Sequence, residues 1–145
     1  MQLLQAIDQR LSIRAYRTAP VERSKIEAII NAARLAPSAG DLQAYLILIV
    51  ESPETKERLS EAALGQDFIA KAPLVLVFLA DTRRSEKTYG LRGATLFSVQ
   101  DATIAPPTPS CPPQCKASVL AGLGRSTSNA LPSFSKCPLT SGQSS

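Results

Sequence analysis

The chain has 145 residues, which is long enough for one domain with a hydrophobic core. It contains 16 basic and 12 acidic residues but no histidine, so a Ser/His/Asp or Cys/His nucleophile arrangement is excluded. The net charge of +4 arises mostly from residues 106–145, and because the remainder shows no basic patch, we expect no nucleic-acid partner.

The first residues, "MQLLQAIDQR", mix polar and apolar side chains and lack the basic and apolar regions of a signal peptide. No stretch of the sequence approaches the ~18–20 apolar residues that a membrane-spanning helix requires. We therefore expect a soluble, cytoplasmic protein without a membrane partner.

The first part of the chain contains two predicted helices joined by an arginine-rich connector. Residues 2–9 and 22–36 carry apolar side chains at helical spacing, and Pro20 introduces the second segment. The connector between them, "QRLSIRAYRTAPV", is predicted to be irregular. The second helix should end before "PSAGDLQ", because Pro37 and Gly40 are poor residues for a helix interior.

Two nearly continuous apolar runs predict buried strands. These runs are "AYLILIVE" (44–51) and "PLVLVFLAD" (73–81). Between them, Ser52 and Pro53 predict the N-cap and the first residue of a helix through "PETKERLSEAAL". "QDFIAKA" then predicts a further helical turn or two.

The second strand is followed by the polar stretch "TRRSEKTYGLRG", which we predict to be a link, with Asp81 as a turn residue at the end of the strand. A helix should resume at about Ala94 and run through Ile104. Helices that alternate with buried strands indicate a layered α/β domain, but two strands do not make an adequate sheet. The third layer should follow Ala105.

Two short motifs lie in the connector and in the loop after the second helix. In "RLSIRAY", the residues Arg-x-Ser-x-Arg are Arg10, Ser12 and Arg14. In "ARLAPSAGDLQ", the Ala-Pro-Ser and Gln positions are Ala36, Pro37, Ser38 and Gln43. Together with "YGLRGATLFSVQDA", and in this order over residues 1–105, these motifs resemble those of the FMN-dependent nitroreductase family. The chain departs from the family pattern at Leu11, where a second arginine is usual, and at Asp41, where asparagine is usual.

The resemblance implies an α/β (α+β) three-layer sandwich with a mixed sheet flanked by helices. It further implies FMN as the cofactor, NAD(P)H as the electron donor, a small-molecule acceptor and a homodimer with sites across the interface. The flavin contacts that it implies are Arg10, Ser12, Arg14, Pro37, Ser38, Asp41 and Gln43. Guanidinium groups suit the flavin phosphate, which carries about two negative charges. No catalytic side chain and no metal ligand is nominated.

Each motif also has a simpler interpretation. An arginine cluster after a helix is commonly a solvated connector, and a Pro-Ser-x-Gly loop is commonly only a helix stop. The "GLG" at 122–124 lacks the third glycine of a dinucleotide-binding loop. The three cysteines, at 111, 115 and 137, have no histidine or acidic residue in the tail to complete a zinc site.

The composition changes at residue 106. The segment 106–145 contains no Asp or Glu, seven of the eleven prolines and all three cysteines. Read with a shift of one base, the codons from Pro106 to Cys111 can encode Ala-Tyr-Ala-Gln-Leu, which would continue the preceding helix. The shifted codons of "KASVLAGLGRSTS" can encode Gly-Leu-Gly-Ala-Ser-Trp-Val-Gly-Ala-Phe-Asp-Glu, which resembles the glycine turn and strand of family members.

We therefore predict that residues 1–105 form the N-terminal part of a nitroreductase-like domain and that 106–145 are out-of-frame translation. Such a tail should be disordered or loosely packed. A natural Pro/Ser-rich linker is the alternative. The predicted function is an FMN-dependent oxidoreductase that passes electrons from NAD(P)H to a quinone, nitroaromatic or similar acceptor. The alternatives are an inactive frameshifted fragment, or a flavin-binding or dimerising module without turnover.

Overall fold

The computed structural model describes residues 14–106. The helix predicted over 2–9 and the tail from residue 107 onward lie outside the described residues. The elements in chain order are α1 (Arg23–Arg34), a 3-10 turn (Ala39–Asp41), β1 (Tyr45–Val50), α2 (Pro53–Ala62), α3 (Asp67–Lys71), β2 (Val75–Ala80), α4 (Thr82–Arg92), a π-helical segment (Gly93–Phe97) and α5 (Ser98–Ile104).

The two strands lie where the two apolar runs predicted them. They pair in the antiparallel direction. Tyr45 pairs with Ala80 at one end and Val50 pairs with Val75 at the other. On one face of the pair, Leu48, Val50, Val75 and Val77 pack with α2 and α3, whose apolar residues in this core are Leu59, Ala63, Phe68 and Ile69. Helix α5 contacts both strands. The sheet therefore lies between helices, although every residue of β2 remains partly exposed.

Helix α2 begins at Pro53, with Ser52 at the N-cap, as predicted. Proline is favoured at this position because the first helical N–H has no partner within the helix. Ser52 makes no side-chain capping bond. The buried Lys56 instead anchors the helix, because its Nζ donates to the carbonyl oxygen of Ala72 at 2.7 Å, just before β2.

The predicted link over 82–93 was wrong, because residues Thr82–Arg92 form helix α4. Its sequence is almost entirely polar and only Ser85 is buried, so it has no apolar period that could have indicated a helix. Asp81 is the N-cap, and its Oδ1 accepts a hydrogen bond from the Arg84 N–H at 3.0 Å. The helix is kinked at Gly90, and the π-helical segment then leads into α5.

Helix α5 confirms the helix that was predicted to resume at about Ala94 and ends at Ile104. Pro106 has no N–H with which to continue the hydrogen-bond ladder. Over the described range 14–106, none of the helices is both long enough and apolar enough to cross a bilayer.

Replacing Asp81 with alanine should destabilise the protein through α4. The substitution leaves the Arg84 N–H without its cap, and N-cap losses cost about 1 kcal/mol of unfolding free energy. Asp81→Asn keeps a side-chain oxygen as acceptor and should lie within a few tenths of a kcal/mol of the unsubstituted protein. Urea unfolding of the three proteins measures the difference, and equal losses for both variants would contradict the capping role.

Candidate functional site

The loop from Pro37 to Gln43 joins α1 to β1 and has an unusual backbone. Gly40, Asp41 and Gln43 have φ angles of 58°, 57° and 48°, so three of four consecutive residues lie in the left-handed region. Glycine reaches this region freely, and aspartate and asparagine do so more readily than other residues. Aspartate at position 41 therefore suits the backbone conformation of this loop.

Hydrogen bonds close this loop on itself. The Gln43 N–H donates to Ser38 Oγ at 2.9 Å, and Gln43 Nε2 donates to the carbonyl oxygen of Arg34 at 3.1 Å. A longer contact of 3.5 Å joins Gln43 Nε2 to Asp41 Oδ1. Ser38 and Gln43 are thus partly buried and hold the loop, while Pro37, Gly40 and Asp41 are exposed.

A buried carboxylate from α5 joins the loop to the rest of the fold. Asp101 is 3% exposed, and its Oδ1 accepts from the Ala39 N–H at 2.9 Å while its Oδ2 accepts from the Ala44 N–H at 3.2 Å. Sequence reasoning missed this residue. The one available signal was that Asp101 lies within the family-like stretch "YGLRGATLFSVQDA".

Tyr89, near the end of α4, lies over the loop. A Cβ atom added to Gly40 would collide with the Tyr89 hydroxyl, so the Tyr89 side chain and the Gly40 backbone are in close contact. The Tyr89 ring is held edge-to-face against Phe97, with ring centroids 5.1 Å apart. Arg92 in turn places its guanidinium carbon 5.4 Å from the Phe97 ring centroid.

Of the three residues in the first motif, only Arg14 falls within the described part of the chain. It is exposed, and its guanidinium carbon lies 5.6 Å from the ring centroid of Phe68 in α3. Arg10 and Ser12 lie outside the described residues. Arg14 and the Pro37–Gln43 loop therefore contact different elements, α3 and α5.

Comparison of the sequence with models of protein families shows to which family the chain belongs. Residues 7–107, which include both motifs and all of the described residues 14–106, match the family model described as the nitroreductase family. The chain belongs to the nitroreductase family.

Relatives of this nitroreductase-family chain occur in bacteria and in archaea. The chain is 48% identical over 73 residues to the NADH dehydrogenase of Thermus thermophilus, which covers 50% of this chain and 36% of that protein. It is 34% identical over 85 residues to the FMN reductase [NAD(P)H] of Bacillus subtilis, which covers 59% of this chain and 34% of that protein. The matched segments thus span about a third of these two relatives.

The structure of NfrA2 from B. megaterium superposes with a TM-score of 0.62 at 31% identity, covering 70% of this chain and 46% of that one. The predicted fold class, a nitroreductase-like layered α/β domain, is confirmed by this similarity. The described part supplies helices and an antiparallel strand pair of that fold.

Over residues 14–106, no three His, Cys, Asp or Glu side chains cluster closely enough to hold a metal ion. All three cysteines lie beyond that range. The described residues offer an exposed guanidinium and a loop closed by hydrogen bonds, which are groups that can bind and orient a ligand.

Tyr45, at the start of β1, is a titratable residue next to the loop. Its hydroxyl donates to the carbonyl oxygen of Ala33 at 3.0 Å. Burial raises the pKa of Tyr45 above its usual value of 10.0; the positive charge of Arg34 opposes that rise, the carboxylate of Asp101 adds to it, and Arg84 opposes it.

The raised pKa of Tyr45 predicts an alkaline loss of stability. The unfolded chain releases this proton near pH 10, before the folded chain does, so the free energy of unfolding should fall as the pH rises above about 10. Tyr45→Phe should make that fall shallower, while costing about 1 kcal/mol at pH 7 through the lost bond to Ala33. Denaturant unfolding at pH 7 to 11 tests both effects, and identical pH slopes would contradict the assignment.

Proposed function

We propose that this protein is an FMN-dependent oxidoreductase that passes electrons from NAD(P)H to a quinone, a nitroaromatic or a similar small acceptor. The observation that carries the proposal is the family match over residues 7–107, which includes both candidate flavin-binding motifs. The names of the relatives support it, since one is an NADH dehydrogenase and another an FMN reductase using NAD(P)H.

The residues of this chain fit the chemistry of FMN. The exposed guanidinium of Arg14 can pair with a phosphate, and Arg10 and Ser12 of the same motif are the further phosphate contacts that the family resemblance implies. The loop offers exposed backbone at Gly40 and Asp41 for close approach of a flat ring system. When bound, FMN supplies the hydride and electron transfer chemistry. The side chains of Ser38 and Gln43 keep the loop in shape and need not exchange protons.

The same proposal includes a homodimer in which the loop of one subunit approaches the flavin of the other. The contact of Arg14 with α3 and of the loop with α5 is compatible with this division of roles. A cytoplasmic location stays a prediction.

Arg14→Ala should weaken FMN binding. A hydrogen bond to a charged partner contributes about 1.5–3 kcal/mol, so the Kd should rise at least about tenfold. Arg17→Ala is the matched control, since it removes the same charge from another exposed position three residues away and should change the Kd less than about threefold. Quenching of FMN fluorescence during titration measures both, and equal Kd values for the two variants would remove Arg14 from the site.

A second candidate is a fragment that performs no turnover. It is favoured by the matched segments covering only about a third of the relatives and by the absence of any acidic residue after position 105. Yellow protein that does not oxidise NAD(P)H would indicate a flavin-binding module. Colourless, protease-sensitive protein would indicate an inert fragment, and NAD(P)H-dependent quinone reduction would establish the oxidoreductase.

A further inference from the structure

Asp101 connects two backbone positions, one within the candidate flavin loop and one directly after it. Ala39 and Ala44 lie 62 and 57 residues before it in the chain, and each donates its N–H to a different oxygen of the one carboxylate. Because the carboxylate is planar and rigid, two such bonds fix the relative positions of the two amides. The bonds also compensate a buried charge that would otherwise be costly.

The contacts within the loop depend on this frame. Ser38 and Gln43 are the residues directly before Ala39 and directly before Ala44, and the bond from Gln43 N–H to Ser38 Oγ closes the loop beside the two amides. Gly40 and Asp41, the exposed residues, stand at its tip with positive φ. A shift of either amide away from Asp101 would therefore move the part of the loop that faces solvent.

We propose that Asp101 is a positioning residue for the flavin site, which acts by holding the Pro37–Gln43 loop in its binding shape before FMN arrives. This inference rests on the proposed function, since it assumes that the loop contacts FMN. Asp101 itself is buried beneath the loop and acts only through the Ala39 and Ala44 amides.

The variant that tests this role is Asp101→Asn, which keeps the size of the side chain. Its amide group has one oxygen acceptor and two N–H donors, so one of the two loop amides must face a donor. Asp81→Asn is the matched control, because the Asp81 carboxylate accepts a backbone N–H from Arg84 in α4 and none from the loop. The backbone N–H of Asp81 donates to the carbonyl oxygen of Ala44 at 2.9 Å, and the substitution keeps that bond. Amide hydrogen exchange without FMN and FMN titration by fluorescence are measured on the full chain.

The expected result is that Asp101→Asn speeds exchange of the Ala39 and Ala44 amides at least about tenfold while the amides of α2 keep their rates, and that the Kd for FMN rises at least about tenfold. Asp81→Asn should change neither quantity. Exchange that speeds equally throughout the chain would overturn the proposal in favour of a purely stabilising role. Altered loop exchange with an unchanged Kd would overturn the link between this loop and FMN.

The unsubstituted chain supplies a second measurement, which holds even if Asp101→Asn does not fold. The Ala39 and Ala44 amides should exchange about as slowly as the Ala105 N–H, which is bonded within the α5 backbone at 2.9 Å. Exchange at the rate of an unstructured peptide would overturn the positioning role. If neither the unsubstituted chain nor a chain with the reading frame restored after codon 105 binds FMN, the proposed function fails, and the exchange rates alone then decide whether Asp101 holds the loop.

Discussion

Gly93→Ala is expected to lower the free energy of unfolding by about 3 kcal/mol, a large part of the stability of a small domain. The kink at Gly90 folds the chain back so that Gly93 lies against the backbone of Ser85. An added Cβ would overlap the Ser85 carbonyl oxygen and lie 2.7 Å from its carbonyl carbon and 2.9 Å from the Tyr89 Cβ. These atoms cannot move by a simple side-chain rotation, so α4 and the π-helical segment must separate.

The matched control for this prediction is Gly65→Ala. Gly65 has a φ of +72° and no atom within 4 Å of an added Cβ, so alanine there costs only the left-handed backbone, about 1 kcal/mol. Gly93 has an ordinary helical φ of −61°, so its cost comes from contact alone. Urea unfolding of the two variants separates these causes, and a smaller loss at Gly93 than at Gly65 would show that the helix junction adjusts freely.

The same substitution should reach the candidate site. Tyr89 lies between Gly93 and Gly40, because it contacts Gly93 through its Cβ and Gly40 through its hydroxyl. Displacement of α4 at Gly93 therefore moves the residue that covers the loop. The junction between α4 and α5 therefore packs against the Pro37–Gln43 loop through Tyr89.

The parts of the fold that the sequence predicted are those with local causes. Strands β1 and β2 are continuous apolar runs, and helix α2 begins at a Ser-Pro pair, so neighbouring residues alone indicate them. Helix α4 was missed because its residues are polar and it depends on the Asp81 cap and on packing at Ser85. A short window of sequence contains no pattern that indicates the Asp81 cap or the packing at Ser85.

The site shows the same division. The Pro37–Gln43 loop could be found because its sequence resembles the family motif. Its shape depends on Asp101, which lies 62 residues after Ala39 and 57 residues after Ala44. The positive φ of Gln43 follows from its hydrogen bonds to Ser38 and Arg34, since glutamine has no intrinsic preference for that conformation. Contacts between distant residues, rather than residue types, complete the loop.

Restoring the reading frame after codon 105 should have the largest effect on function. In the described residues, Leu46, Ile49 and Val99 are about half exposed, and all of β2 is partly exposed. Strands of a three-layer sandwich are normally covered on both faces, so this surface is what further strands and helices would bury. The shifted codons, which begin Ala-Tyr-Ala-Gln-Leu, would replace Pro106 and continue α5 beyond Ile104.

The comparison is between the chain as it stands and a gene in which one base is inserted or removed near codon 105. We expect the restored protein to bind FMN, to form dimers and to reduce a quinone with NAD(P)H at a kcat on the order of 1 s⁻¹ or more, at least about 100-fold above the present chain. Resequencing codons 95–130, light scattering and NADH oxidation measure these outcomes.

A confirmed gene sequence with no family-like reading in either shifted frame would contradict the out-of-frame origin. Full activity of the present chain would instead mean that residues 106–145 complete the site, since the half-exposed sheet offers them an apolar surface against which to pack.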